Sequence, residues 1–249
     1  MKQLLLLPLV ALLATPAFAD QVSDLISGKL KACRGCDLHG VSFKKADLSG
    51  VDLTGANLSN ASFHRAILKG AILDKVNADG TNFNLTDLSN ASFEGATLTG
   101  TLFYGAQLSG SKMDGANLTD SHLQHTRMTN VSANNAILDN ADISDGRLNN
   151  AKLEGVSLVK ANLTGTSVGN SDFNHARIDD AGFGGTKASN ATFVGATINI
   201  TDFYGADLRN VDFTDAKVTG CRFTTGDLTG AKLSSGFAGN FMSDGHFQN

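Results

Sequence analysis

A five-residue period runs through this chain without a slip. From Leu38 to Leu233, every fifth residue is Leu, Phe, Ile, Val, Met or Ala, over 40 consecutive positions. The residue two places earlier, from Cys36 to Ala231, is always small: Ala, Val, Thr, Ser, Gly or Cys. Five is the period of neither regular element. On a helix, apolar residues at that spacing would spread around the circumference, and a strand alternates by two. The small and large residues of each five do lie two apart, as on one side of a strand. The two residues that follow are often Ser-Gly, Thr-Gly, Ser-Asn or Asn-Asn, which are turn formers. Each five therefore reads as a very short extended piece and a corner, in a chain that coils with its apolar residues inward. We name the five places small, outward, central, first corner and second corner.

The number of corners per turn is also legible. When the central residues are dealt to four faces in rotation, Phe43, Phe63, Phe83, Phe103, Phe183, Phe203 and Phe223 fall on one face. Phe93, Phe173, Phe193 and Phe213 fall on the opposite face, and the two faces between them carry none. Like residues stacking on like in successive turns explain this, since aromatic pairs gain about 0.5–1.5 kcal/mol from offset or edge contact. The coil repeat is then 20 residues.

Units such as Ala46-Asp47-Leu48-Ser49-Gly50, Ala56-Asn57-Leu58-Ser59-Asn60, Ala116-Asn117-Leu118 and Ala206-Asp207-Leu208 resemble the pentapeptide-repeat family, whose consensus is A-(D/N)-L-x-x. The resemblance covers residues 36–235. It implies an all-β fold, a right-handed quadrilateral β-helix of about ten coils.

The ends leave the register. Residues 1–19 have a basic start at Lys2, an apolar stretch from Leu4 to Ala14 and an Ala17-Phe18-Ala19 cleavage pattern, the marks of a secretory signal peptide. The expected mature chain begins at Asp20, and losing Lys2 moves its formal net charge from −4 to −5. No later apolar run is long enough for a membrane helix. The only prolines are Pro8 and Pro16, so the repeats have none, as a continuous hydrogen-bond ladder requires. Residues 20–35 read as an N-terminal cap. Val22, Leu25, Ile26 and Leu30 suggest a helix over 22–32 with Ser23 as its N-cap. Residues 236–249, with Phe241, Met242 and Phe247, and Phe237 among them, read as a C-terminal cap or an association surface.

Chemistry-bearing groups are few. Cys33 and Cys36 form a C-x-x-C at the cap. In an exported protein a local disulfide is the favoured reading. A redox pair lacks the surrounding βαβ pattern, Asp37 stands where covalent haem attachment needs His, and a metal site with His39 lacks a fourth ligand. Cys221 sits at a small position and reads as core. His64, His122, His125 and His175 fall at outward or corner places without convergent partners. No catalytic residue, cofactor or metal is expected. Outward apolar residues break the polar pattern at Ile67, Ile72, Leu85, Leu102, Ile137, Val159, Val194 and Ile200, and Tyr104 and Tyr204 share one face in similar stretches. Of these, Tyr104, Tyr204, Leu102 and Ile200 are taken as a possible partner surface. Two adjacent faces are acidic and two near neutral, with Lys44, Lys45 and Arg65 marking a basic end.

These features point to a non-catalytic exported module that binds an unknown protein or acts structurally, periplasmic or extracellular, with a thylakoid lumen also compatible. It is expected as a monomer or end-to-end dimer. Some members of the resembled family mimic DNA and protect DNA gyrase; they are cytosolic and strongly acidic, so the signal segment and weak charge disfavour that alternative. No nucleic-acid partner is expected. A thiol-disulfide enzyme using Cys33 and Cys36 is the third alternative.

Overall fold

Each pentapeptide spends its five backbone amides in a fixed way. In the unit 56–60, the Ala56 amide closes a turn onto the Leu53 carbonyl at 2.9 Å. The Asn57 amide donates to Cys36 of the coil before, and those of Leu58 and Asn60 donate to Asn77 and Asp79 of the coil after. The fifth, at Ser59, donates to the side-chain oxygen of Asn57 at 3.2 Å. This last bond gives the Asp or Asn of the outward place its purpose, since a short polar side chain can cap the amide two residues on. In the unit with outward Leu102, the coil before substitutes: the Tyr104 amide donates to Asn84 Oδ1 at 2.8 Å.

The corners need one unusual backbone conformation. Every second-corner residue from Gly35 to Gly230 has a positive φ, consistent with a type II turn closed by the small residue's amide. Most of these places carry Gly, Asn or Asp, which tolerate that region.

The structure, a computed structural model, describes residues 16–234 and residue 237. Parallel bridges join each outward residue to its counterpart 20 residues on, from Ala32↔Asp52 to Asp212↔Lys232. The chain therefore winds as a four-sided parallel β-helix, at about 4.8 Å per coil. Face 1 carries the central residues Phe43, Phe63 and onward; face 2 begins at Leu48, face 3 at Leu53 and face 4 at Leu38. On face 4 the pairing widens into β1 (Ser157–Val159), β2 (Arg177–Asp179), β3 (Thr197–Asn199) and β4 (Lys217–Thr219), a parallel sheet in that order. Val159, Ile178, Ile198 and Val218 fall there, and β-branched residues favour extended backbone.

Central and small residues fill the core. Phe83 and Phe103 stack with centroids 5.3 Å apart, and Phe93 meets Phe83 edge-on at 5.9 Å from the opposite face. Most buried Thr at small places donate to a carbonyl of the coil before, as Thr81 Oγ1 does to Leu58 at 2.7 Å, whereas Thr126 donates to Leu123 within its own coil.

The N-terminal cap differs from the sequence expectation. Helix α1 spans Pro16–Ile26, so Ser23 lies inside it and is not its N-cap. Gly28 at φ 71° follows its last turn, in the left-handed conformation that commonly ends helices. Leu25 is buried and Val22 and Leu30 pack on the core, whereas Ile26 faces solvent. The β-helix also starts one unit before residue 36. Ala32 already pairs with Asp52, and Cys33 occupies a central place. At the other end, the Phe237 ring lies 4.9 Å from that of Phe223 and 5.4 Å from that of Phe213. The apolar run of the expected signal segment, and Phe241, Met242 and Phe247, lie outside the described residues.

Candidate functional surfaces

Cys33 and Cys36 are disulfide-bonded, with Cα atoms 5.5 Å apart. The bond spans the first corner of the solenoid, where the Cys36 amide also donates to the Cys33 carbonyl. Gln21 of α1 donates to Cys36 Sγ at 3.2 Å, so the helix touches the bridge. Beside it Arg34 Nε donates to Asp52 Oδ2 at 2.7 Å. That contact, helped by the Thr54 hydroxyl and amide, holds the Asp52 carboxyl down at about 2. His39 pairs with Ser59 Oγ at 2.9 Å, and the metal reading of Cys33, Cys36 and His39 fails because the two sulfurs are bonded to each other. Cys221 is buried, and burial raises its thiol pKa.

Most carboxylates belong to the repeat. Asp212 accepts from Lys232 Nζ at 2.8 Å and from the Thr214 hydroxyl and amide, which hold its carboxyl at about 2. Asp202 takes a two-pronged bond from Arg222, whose guanidinium lies 5.0 Å over the Tyr204 ring. Among the described residues, no His, Cys, Asp and Glu group is arranged to hold a metal ion.

The four residues taken as a partner surface do not form one patch. Tyr104 and Tyr204 occupy the first corner of face 1, exposed at 50% and 49%. Five coils separate them, about 24 Å. Leu102 is half-buried beside Tyr104, and Ile200 is 65% exposed at the corner leading into the Tyr204 unit. Ile200 also has φ 50°, a real outlier for a β-branched side chain. The Leu85 side chain lies across Gly105, next to Tyr104, and His125 meets the Tyr104 ring edge-on at 5.3 Å.

One feature escaped the sequence reading. Arg127 and Arg147 pair across adjacent coils on face 2. Neither makes an ion pair among the described residues, whereas Arg34, Arg177, Arg209 and Arg222 do. The signal was available as two arginines 20 residues apart on a face with no acid between Asp87 and Asp207.

The Pentapeptide repeats family matches the chain in eight overlapping copies, from residues 36–74 to 200–234. The chain belongs to the pentapeptide-repeat family. Its fold is accordingly the right-handed quadrilateral β-helix. This pentapeptide-repeat protein is similar to HetL, a protein involved in heterocyst differentiation regulation from the cyanobacterium Nostoc sp. strain PCC 7120. The identity is 23%, the TM-score 0.53, and the match covers 91% of this chain and 97% of HetL. It is also similar to QnrB1, a plasmid-mediated fluoroquinolone resistance protein, at 19% identity and TM-score 0.52, over 82% of this chain and 94% of that one. At these identities the likeness is one of fold. No curated protein matches the chain.

Proposed function

We propose that this pentapeptide-repeat protein is an exported, non-catalytic module that binds another protein, in the periplasm or outside the cell. The observation that carries this reading is a set of apolar side chains, three exposed and Leu102 half-buried, at places where the repeat consensus is polar. Tyr104, Tyr204, Leu102 and Ile200 stand on a rigid ladder whose own hydrogen bonds are met within the repeat. Ile200 keeps an exposed apolar side chain at a second corner, where the repeat imposes a left-handed backbone that Gly, Asn or Asp holds at less cost. Tyr is favoured at protein interfaces because it offers a large apolar body and a polar tip. Export follows from the signal-like residues 1–19, and an oxidising compartment suits the Cys33–Cys36 bridge.

The test is in-cell cross-linking of the tagged full chain, followed by capture from the envelope fraction. A defined protein cross-linked through Tyr104 or Tyr204 is the expected result. Recovery of the chain in the cytosol, or cross-links that never reach another protein, would overturn the proposal.

A further inference from the structure

The edge between faces 1 and 2 carries two kinds of surface in sequence along the rod. Toward the N-terminal end it carries exposed apolar side chains beside Arg65 and the Lys69–Asp87 ion pair. Ile67, Leu85 and Tyr104 are 39%, 42% and 50% exposed in three successive coils, with half-buried Leu102 alongside. Leu85 and Tyr104 are neighbours across coils, because Leu85 lies over Gly105, the residue after Tyr104. Toward the other end the edge is cationic, with Arg127 and Arg147 exposed one coil apart.

The arginine pair is unusual in its setting. Like charges placed opposite each other on neighbouring strands destabilise the pairing. On this face nothing relieves them: between Asp87 and Asp207 its outward and corner residues include Gln107, Ser109, Thr129, Asn149, Ser167 and Lys187, and no carboxylate. Acids do stand on face 1 at the shared edge, Asp142 within hydrogen bonds and Asp145 exposed at the corner two residues before Arg147. Asp142 accepts from Gln124 Nε2 at 2.7 Å and from Asn162 Nδ2 at 3.1 Å, and Asp145 lies 4.0 Å from His125 Nδ1. Two exposed arginines thus stand on neighbouring coils with no ion pair among the described residues, and the donor fork of a guanidinium suits carboxylates.

We propose that this edge is the docking site for an extended acidic segment of another protein, with its apolar residues on Ile67, Leu85 and Tyr104 and its carboxylates on Arg127 and Arg147. The assignment rests on the reading of the chain as a protein-binding module and gives it a place and a chemistry. Charge complementarity selects an acidic occupant. The adjoining apolar surface selects a protein over a sugar or phosphate polyanion, which would leave that half uncovered. From Ile67 to Arg147 is four coils, about 19 Å, the length of about six extended residues. Tyr and Arg are also the side chains that most often dominate protein-binding energy.

The experiment is selection of a displayed random heptapeptide library on the purified intact protein, with affinities then measured by fluorescence anisotropy. The expected sequences carry apolar residues at one end and Asp or Glu at the other. Arg127→Glu/Arg147→Glu should weaken the selected peptides at least tenfold, and Tyr104→Ala several-fold. Raising the salt concentration should weaken binding to the parent protein. Lys152→Glu, on face 3, should change affinity less than twofold. All these side chains are exposed, so unchanged thermal midpoints will show that the fold is retained; Arg147→Ala serves if the double reversal alters it. Three results would overturn the assignment: selected peptides that lack carboxylates or bind the double variant equally; dextran sulfate binding as tightly with the same arginine dependence; or self-association that the double variant abolishes. The first leaves protein binding by another face intact. Failure of the cross-linking test removes the broader reading independently.

Discussion

Ile200 combines two unfavourable circumstances, an exposed apolar side chain and a left-handed backbone, at a place where most units use Gly, Asn or Asp. For an L-residue that conformation costs on the order of 1 kcal/mol. Ile200→Asn should therefore stabilise the protein by about 1 kcal/mol, read as a higher urea midpoint with unchanged slope. A lower midpoint would show that Ile200 makes stabilising contacts on the folded chain. Carboxylates give a second expectation at this scale. Asp52 and Asp212 titrate near 2 when folded, against about 3.9 in an unfolded chain. Each thus stabilises the fold above about pH 4, and that contribution is lost as pH falls toward 2. Thermal midpoints should be flat with respect to these groups from pH 7 to 5 and fall below pH 4. Asp212→Asn should flatten part of that fall. The sequence showed that an Asp or Asn belongs at the outward place. It did not show why, because the bond to the amide two residues on exists only once the corner has formed.

The elements are single coils, and they differ in how they are filled. Phe rings stack along face 1 from Phe43 to Phe103 and again from Phe183 to Phe223, and along face 3 from Phe173 to Phe213, where Phe93 stands alone in its stack. Between Phe103 and Phe173 the central residues are Leu, Met, Ala, Ile and Val. Small places are buried from Val51 to Cys221. Ala116 has no exposed surface, and Ala116→Leu should destabilise by about 1–3 kcal/mol through overpacking. Hydrogen exchange should locate the damage in the coils on either side of residue 116, because a solenoid unit contacts only its neighbours. The coils were legible in the sequence because each repeats one pattern 40 times. The cap was not, because α1 occurs once and its apolar residues fit more than one helical phase. Gly28 was the missed stop signal, and Cys33 was missed as a central residue because its unit carries Lys31 where a small residue would have extended the pattern.

At the scale of the whole molecule, position around the rod is set by counting. Tyr104 and Tyr204 share a face because 100 is a multiple of 20, and Arg127 and Arg147 pair for the same reason. That arithmetic made the faces legible before any coordinates. It could not show which exposed residues meet across a corner, such as Leu85 and Tyr104, since that depends on side-chain direction. Inserting one pentapeptide after Asn150 should leave the fold intact but turn everything beyond it by a quarter revolution, placing Tyr204 on another face than Tyr104. Removing a full coil, residues 151–170, should keep both on one face and shorten the rod by about 4.8 Å, which small-angle scattering would register. Loss of folding in the 20-residue deletion would show that coils are not interchangeable. The same arithmetic constrains ancestry. A lineage carrying this surface could have changed length by duplicating or losing whole coils at little risk to what it binds, whereas any smaller step would have kept the scaffold and scrambled its address.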